Sequence, residues 1–282
     1  MIERLVHIPE VVCVMRNYSR LRSELSGFGK IWKGGYFEGD PLDPLSKSSY
    51  DKVGYISVIH ATYLRCIRPY INKETVVLEI GPGRGAWTKS FLPAKEVYVI
   101  DALSAEHNNF FDYLGEVDHV KYLQVKDFSC KELPNNYFDY MFSFGTLCHV
   151  SFDVMEEYAQ NLYNKMRPGA NCFWMIADYE NYNEIMSNLD SYGIIRKLVP
   201  QRMPLRKSLG KFLSDYFFFR NSELKHRTED IDPSPSPGRW YNAGTEKTCE
   251  MLKKFGYEIL DDNVGTCPRD PIIHFQKPFL QT

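Results

Sequence analysis

The sequence predicts an α/β fold built on a mostly parallel sheet. Three observations carry this. The stretch VVLEIGPGRGAWTKSFLPAKEVYVID, residues 76–101, reads as strand, glycine turn, helix and strand. The second strand of that unit ends on an acid, Asp101, about 20 residues after Gly81. A further helical stretch and a third apolar strand, 120–125, follow in the same rhythm. Glycines at 81, 83 and 85 let the backbone approach a ligand closely, and an acid at a strand end can accept from both hydroxyls of a ribose. Together they have the logic of a nucleotide-binding crevice.

The glycines fall as GxGxG rather than the dinucleotide GxGxxG, with Glu79 two residues before Gly81. Glu79-x-Gly81-x-Gly83-x-Gly85 resembles the class I S-adenosylmethionine (SAM) methyltransferases. That resemblance implies a Rossmann-like seven-stranded sheet, order 3-2-1-4-5-7-6, with strand 7 antiparallel. The apolar runs at 76–80, 96–100, 120–125, 137–143, 171–177, 257–260 and 271–276 match those strands in order. Helices are expected at 56–71, leading into the first strand, and at 86–92, 154–165 and 245–255, with Gly256 as the C-terminal cap of the last. Acidic residues open the helix at 154 and basic residues close it, as its dipole favours. Arg167-Pro168-Gly169 is read as the turn leaving it.

Four segments organise the chain. Residues 1–55 form an N-terminal helix and a lid segment, with an oligomer arm, as in a homodimer, as another use of the helix. Residues 31–55 mix Gly, Pro and Asp with Trp32, Tyr36, Phe37, Tyr50 and Tyr55, the composition of an aromatic loop beside a site. Asp40 and Asp43 lack a third ligand, so no metal is assigned. Residues 56–180 are the first part of the SAM-binding core and 240–282 the last. Between them, 181–239 is an insertion too long for a plain loop, so helices of its own are expected as a substrate cap. It carries nine Lys/Arg over 194–227 against Asp215 and Glu223, then the Pro-rich stretch DPSPSPGRW. Such a cluster is either a solvated face or a seat for an anion.

Totals narrow the function. A chain of 282 residues with 44% hydrophobic content has a full core. Net charge of -2 argues against a general nucleic-acid binder. Seven scattered Cys without CxxC fit reduced thiols, hence a cytoplasmic setting. No run is long and apolar enough to span a membrane, and the first residues lack the apolar core of a secretory signal.

The resemblance implies SAM as cofactor, held by Glu79, Gly81, Pro82, Gly83, Gly85, Asp101, Ala102, Asp127, Phe128, Phe144 and Gly145. Asp127 and Phe128 match the family's adenine contacts, although Asp127 also reads as a helix cap. His149 after the fourth strand and Asp178 after the fifth resemble the His and Asp pair of sugar O-methyltransferases. They are the candidate general base and its partner, because an alcohol attacks only as its proton leaves. From the residues alone, His149 reads equally as a packed histidine and Asp178 as a cap. Tyr36, Tyr50, Arg202, Arg206, Trp240 and Tyr241 are the candidate acceptor contacts. The expected acceptor is a sugar or other hydroxylated small molecule, phosphorylated and nucleotide-linked ones included. Methylation of an anionic oxygen or an amine, and SAM binding without catalysis, are the alternatives.

Overall fold

The computed structural model describes residues 20–25, 28, 32–48, 52–53, 55–184, 240–267 and 270–279. Tyr50, Arg202, Arg206 and nearly all of the basic insertion lie outside the described residues. So does most of the N-terminal helix, of which 20–25 are described and helical.

Seven strands form one sheet: β1 Val76–Ile80, β2 Glu96–Asp101, β3 Val120–Gln124, β4 Phe138–Ser143, β5 Met166–Met175, β6 Glu258–Asp261 and β7 Ile272–Gln276. Their order is 3-2-1-4-5-7-6. β1 pairs in parallel with β2 and with β4. β7 runs antiparallel to both β5 and β6. Order and sense are those expected.

The reason lies in the strands. β1 is buried at every position, as a central strand covered on both faces must be. Its alternate side chains serve two cores. Val76, Leu78 and Ile80 join the cluster that holds α3 (Phe152–Tyr163) and α4 (Thr245–Lys254). Val77 joins the opposite cluster, with Val58 and Ile59 of α1 (Val58–Thr62), Phe91, and Phe110 of α2 (Phe110–Leu114). α3 buries Val154, Met155, Tyr158, Ala159 and Leu162, one stripe at helical spacing. α4 ends at Gly256, φ 92°, whose N–H reaches the Lys253 carbonyl.

Three details depart from expectation. The helix after the glycine turn is only a 3-10 turn, Thr88–Phe91. The turn itself uses the residues before it, and Pro93 brings no N–H to extend it. The expected turn at Arg167-Pro168-Gly169 lies within β5. Gly169, φ 83°, donates its N–H to the Lys277 carbonyl at 2.7 Å, and this holds the segment to the residue that follows β7. The helix leading into β1 is short, Val58–Thr62, and continues as a π-turn, Tyr63–Ile67. Among the described residues no helix is long and apolar enough to cross a membrane.

Candidate active site

The site begins at the carboxyl end of β1. Gly81, Gly83 and Gly85 all have positive φ, at 69°, 54° and 98°. A Cβ at Gly81 would stand 2.1 Å from the Thr146 hydroxyl oxygen, and one at Gly83 2.8 Å from the Tyr36 carbonyl oxygen. That carbonyl accepts the Arg84 N–H at 3.1 Å, and the Arg84 Nε donates to the Gly34 carbonyl at 2.7 Å. The aromatic loop expected as a lid is thus tied directly to the glycine turn. Gly85 serves packing instead: its Cβ position faces the Phe110 ring at 3.0 Å.

Three carboxylates flank the turn, with different roles. Glu79 is buried beneath it and accepts the Thr88 hydroxyl at 2.6 Å. Burial pushes its pKa up to about 8, opposed by the Thr88 bond. It does not line the cavity. Asp101 does line it. Its carboxylate accepts the Leu103 N–H at 2.8 Å and the Asn108 amide at 3.1 Å. Burial raises its pKa to about 6, against the downward pull of these donors and the Gly83 and Ala102 amides. Asp127, expected at the adenine, lies outside the cavity lining and accepts the N–H of Ser129 at 2.9 Å and its hydroxyl at 2.5 Å. Burial pushes its pKa up, but the Ser129 bonds and nearby Lys131 outweigh that and hold it low. The neighbouring Phe128 does line the cavity.

The cavity runs along the carboxyl edge of the sheet. Asp101, Ala102, Leu103 and Phe128 line one part, Gly81, Pro82 and Gly83 the middle, and Phe144, Gly145, Thr146 and His149 the other. The Thr146 hydroxyl donates to the Gly81 carbonyl at 3.1 Å, joining the two loops. His149 ends a 3-10 turn, Leu147–His149, just beyond β4. Its ring sits edge-on to Phe28 at 5.6 Å and to Trp32 at 5.4 Å. The helical residues 20–25 close this end of the cavity. Glu24 accepts the Ser151 hydroxyl at 2.5 Å, and Arg20 pairs with Glu157 at 2.5 Å.

Asp178 has other work than pairing with His149. It accepts the Thr245 N–H at 2.8 Å, the Thr245 hydroxyl at 2.7 Å and the Asn181 N–H at 3.0 Å. Burial pushes its pKa up, but these donors outweigh it and hold it low. The carboxylate therefore caps α4 and the helical residues 179–184, none of its partners is His149, and it does not line the cavity. Trp240 and Tyr241 also lie off the cavity lining. Trp240 packs against Tyr179 and Tyr182, each at 5.1 Å, and the Tyr241 N–H bonds the Cys148 carbonyl. The His274 Nε2 donates to the Asn171 side-chain oxygen at 2.9 Å; its ring stacks on Phe173 at 4.1 Å, and burial pushes its pKa down to about 4.

Sequence reasoning missed Thr88 and Asn108, the partners of Glu79 and Asp101. Nothing in their local pattern marks them, since each meets its partner through the fold. It also missed Leu21, Leu25 and Phe28, which line the cavity at helical spacing in a segment read mainly as packing.

A sheet of order 3-2-1-4-5-7-6 with β7 antiparallel, and a glycine turn and acid at its carboxyl edge, is the class I methyltransferase fold. A family model described as a methyltransferase domain matches residues 55–261, most of the chain, and the chain belongs to that family. Its cofactor is SAM. The residues present suit that group: Gly81 and Gly83 of the turn, the Asp101 carboxylate and the Phe128 ring all line the cavity. No curated protein matches by sequence. Similar solved structures include the N-methyltransferase NodS of Bradyrhizobium japonicum WM9 in complex with S-adenosyl-L-homocysteine, at 13% identity and TM-score 0.49, covering 93% of this chain and 98% of that one. Another is the 1,6-didemethyltoxoflavin-N1-methyltransferase of Burkholderia thailandensis, at 14% identity and TM-score 0.49, covering 99% and 93%. Likenesses this distant carry no argument about the acceptor.

Proposed function

We propose that this SAM-dependent methyltransferase acts on a hydroxyl of a small molecule, with His149 as general base. The observation that carries this is the place of His149 on the cavity wall, next to the loop that Thr146 ties to the glycine turn. Asp101 and Ala102 would hold the ribose end of the cofactor, with Phe128 against the adenine and the glycine turn beside its amino-acid end. Bound there, it would supply a methyl group on a cationic sulfur. His149 would take the proton of the acceptor hydroxyl as its oxygen forms the new O–C bond, the electron pair of the broken C–S bond staying on sulfur. Holding the three reacting atoms in line supplies much of the acceleration. Asp178 accepts the Thr245 N–H and hydroxyl, so the reading rests on His149.

His149→Ala tests the reading. Loss of a general base costs about 10²–10⁴-fold in kcat. S-adenosylhomocysteine affinity, read by calorimetry, should stay normal. Wild-type kcat should fall on acidification with a one-proton dependence that the variant lacks. A variant with near-normal turnover and an unchanged pH profile refutes the role.

A further inference from the structure

Resting on that reading, we infer that the acceptor is a flat aromatic ring bearing the hydroxyl, a phenol or hydroxylated heteroaromatic, rather than a sugar or a phosphate ester. The wall beside His149 is a run of rings. Phe28 and Trp32 lie 4.5 Å apart at 31°, and Trp32 and Tyr36 5.3 Å apart at 52°. The His149 imidazole stands edge-on to both Phe28 and Trp32, at 61° to each. Aromatic rings favour offset and edge contacts with one another, so a flat acceptor finds complementary faces here. Laid along Trp32, such a ring carries an edge hydroxyl to the imidazole that borders that face.

The polar complement of this end of the cavity argues the same way. Its carboxylates, Glu24 and Glu38, already have partners. Glu24 takes the hydroxyl and N–H of Ser151, at 2.5 and 3.3 Å. Glu38 takes the Tyr36 hydroxyl and, at 3.0 Å, that of Ser48. A sugar presents a hydroxyl on nearly every carbon, and each needs a partner once it leaves water. Groups already engaged with one another serve it poorly. An anionic acceptor fares worse: among the described residues, no Lys or Arg lines the cavity, while two glutamates do. Arg84, which follows the cavity-lining Gly83, points its Nε to the Gly34 carbonyl and its guanidinium to the Phe37 ring.

The full chain loaded with S-adenosylhomocysteine is titrated with 8-hydroxyquinoline, catechol, methyl glucoside and UDP-glucose, and methyl transfer from SAM is measured for each. The expected result is binding and turnover of the phenols, with KM at least tenfold below that of either sugar. Trp32→Ala should raise the phenol KM by tenfold or more, and Trp32→Phe should restore most of it. S-adenosylhomocysteine affinity should stay within twofold in both variants, which separates an acceptor role from a general loss of fold. Better turnover of methyl glucoside or UDP-glucose overturns the inference, as does a Trp32→Ala enzyme with unchanged phenol KM. So does a cofactor-loaded enzyme that neither binds nor methylates either phenol. Failure of the wild type to bind S-adenosylhomocysteine would instead sink the assignment of the cofactor site itself.

Discussion

Asp101 offers the sharpest quantitative test, because its environment supplies both a magnitude and a pH window. Its carboxylate lines the cavity at the end of β2, held by the Leu103 N–H and the Asn108 amide. Asp101→Asn keeps the shape and removes the charge. A hydrogen bond to a charged group contributes about 1.5–3 kcal/mol, so cofactor affinity should fall about 10- to 100-fold. The pH dependence follows from the raised pKa. Burial lifts it to about 6, so the free protein still holds the proton there. The cofactor hydroxyls need the ionised form as acceptor, and binding competes with that proton. Affinity is therefore full above about 6 and lost as pH falls through it, approaching tenfold per unit below. Calorimetry with S-adenosylhomocysteine between pH 5 and 8 would read both effects, and Asp101→Asn should flatten the profile. Wild-type affinity that is level through pH 6, or a variant that binds like wild type, would refute the reasoning.

Other outcomes follow from the same geometry. Gly83→Ala forces a Cβ into left-handed backbone and to 2.8 Å from the Tyr36 carbonyl, so it should detach the aromatic loop and weaken cofactor binding at least tenfold; unchanged affinity would mean the loop does not close the site. Glu79 has a folded pKa raised to about 8 from an ordinary 4.5, so the stability it contributes is present in acid and lost as pH rises through about 8. Glu79→Gln should therefore gain in Tm relative to wild type as pH rises from 5 to 9, and a gap that stays constant would contradict the shift. Asp178→Ala removes the cap of α4 and should cost about 1–2 kcal/mol in denaturant unfolding. It should lower kcat far less than His149→Ala does; an equal loss would return Asp178 to the chemistry.

The sequence by itself marked the strands, as apolar runs of strand length punctuated by glycine and proline. Their order came with the resemblance that Glu79-x-Gly81-x-Gly83-x-Gly85 carries. The positive-φ turn at 81–85 was legible for the same local reason: only glycine accepts that backbone at no cost. Asp101 was legible because its position depends on one strand end and one spacing. The local alternatives for Asp178 were legible too, but not the choice between them. Cap and catalytic partner look identical in sequence, and the decision came when α4 delivered the Thr245 N–H to it from 67 residues away. The same holds for Asp127, which accepts the Ser129 N–H and hydroxyl. The wall that defines the acceptor end was the least legible. Phe28, Trp32 and His149 meet only because Glu24 and Arg20 anchor residues 20–25 over α3, through partners more than 120 residues distant. Local propensity selects elements and turns, whereas a pocket between elements is set by long-range packing, where side chains with no sequence relation compete for the same few neighbours.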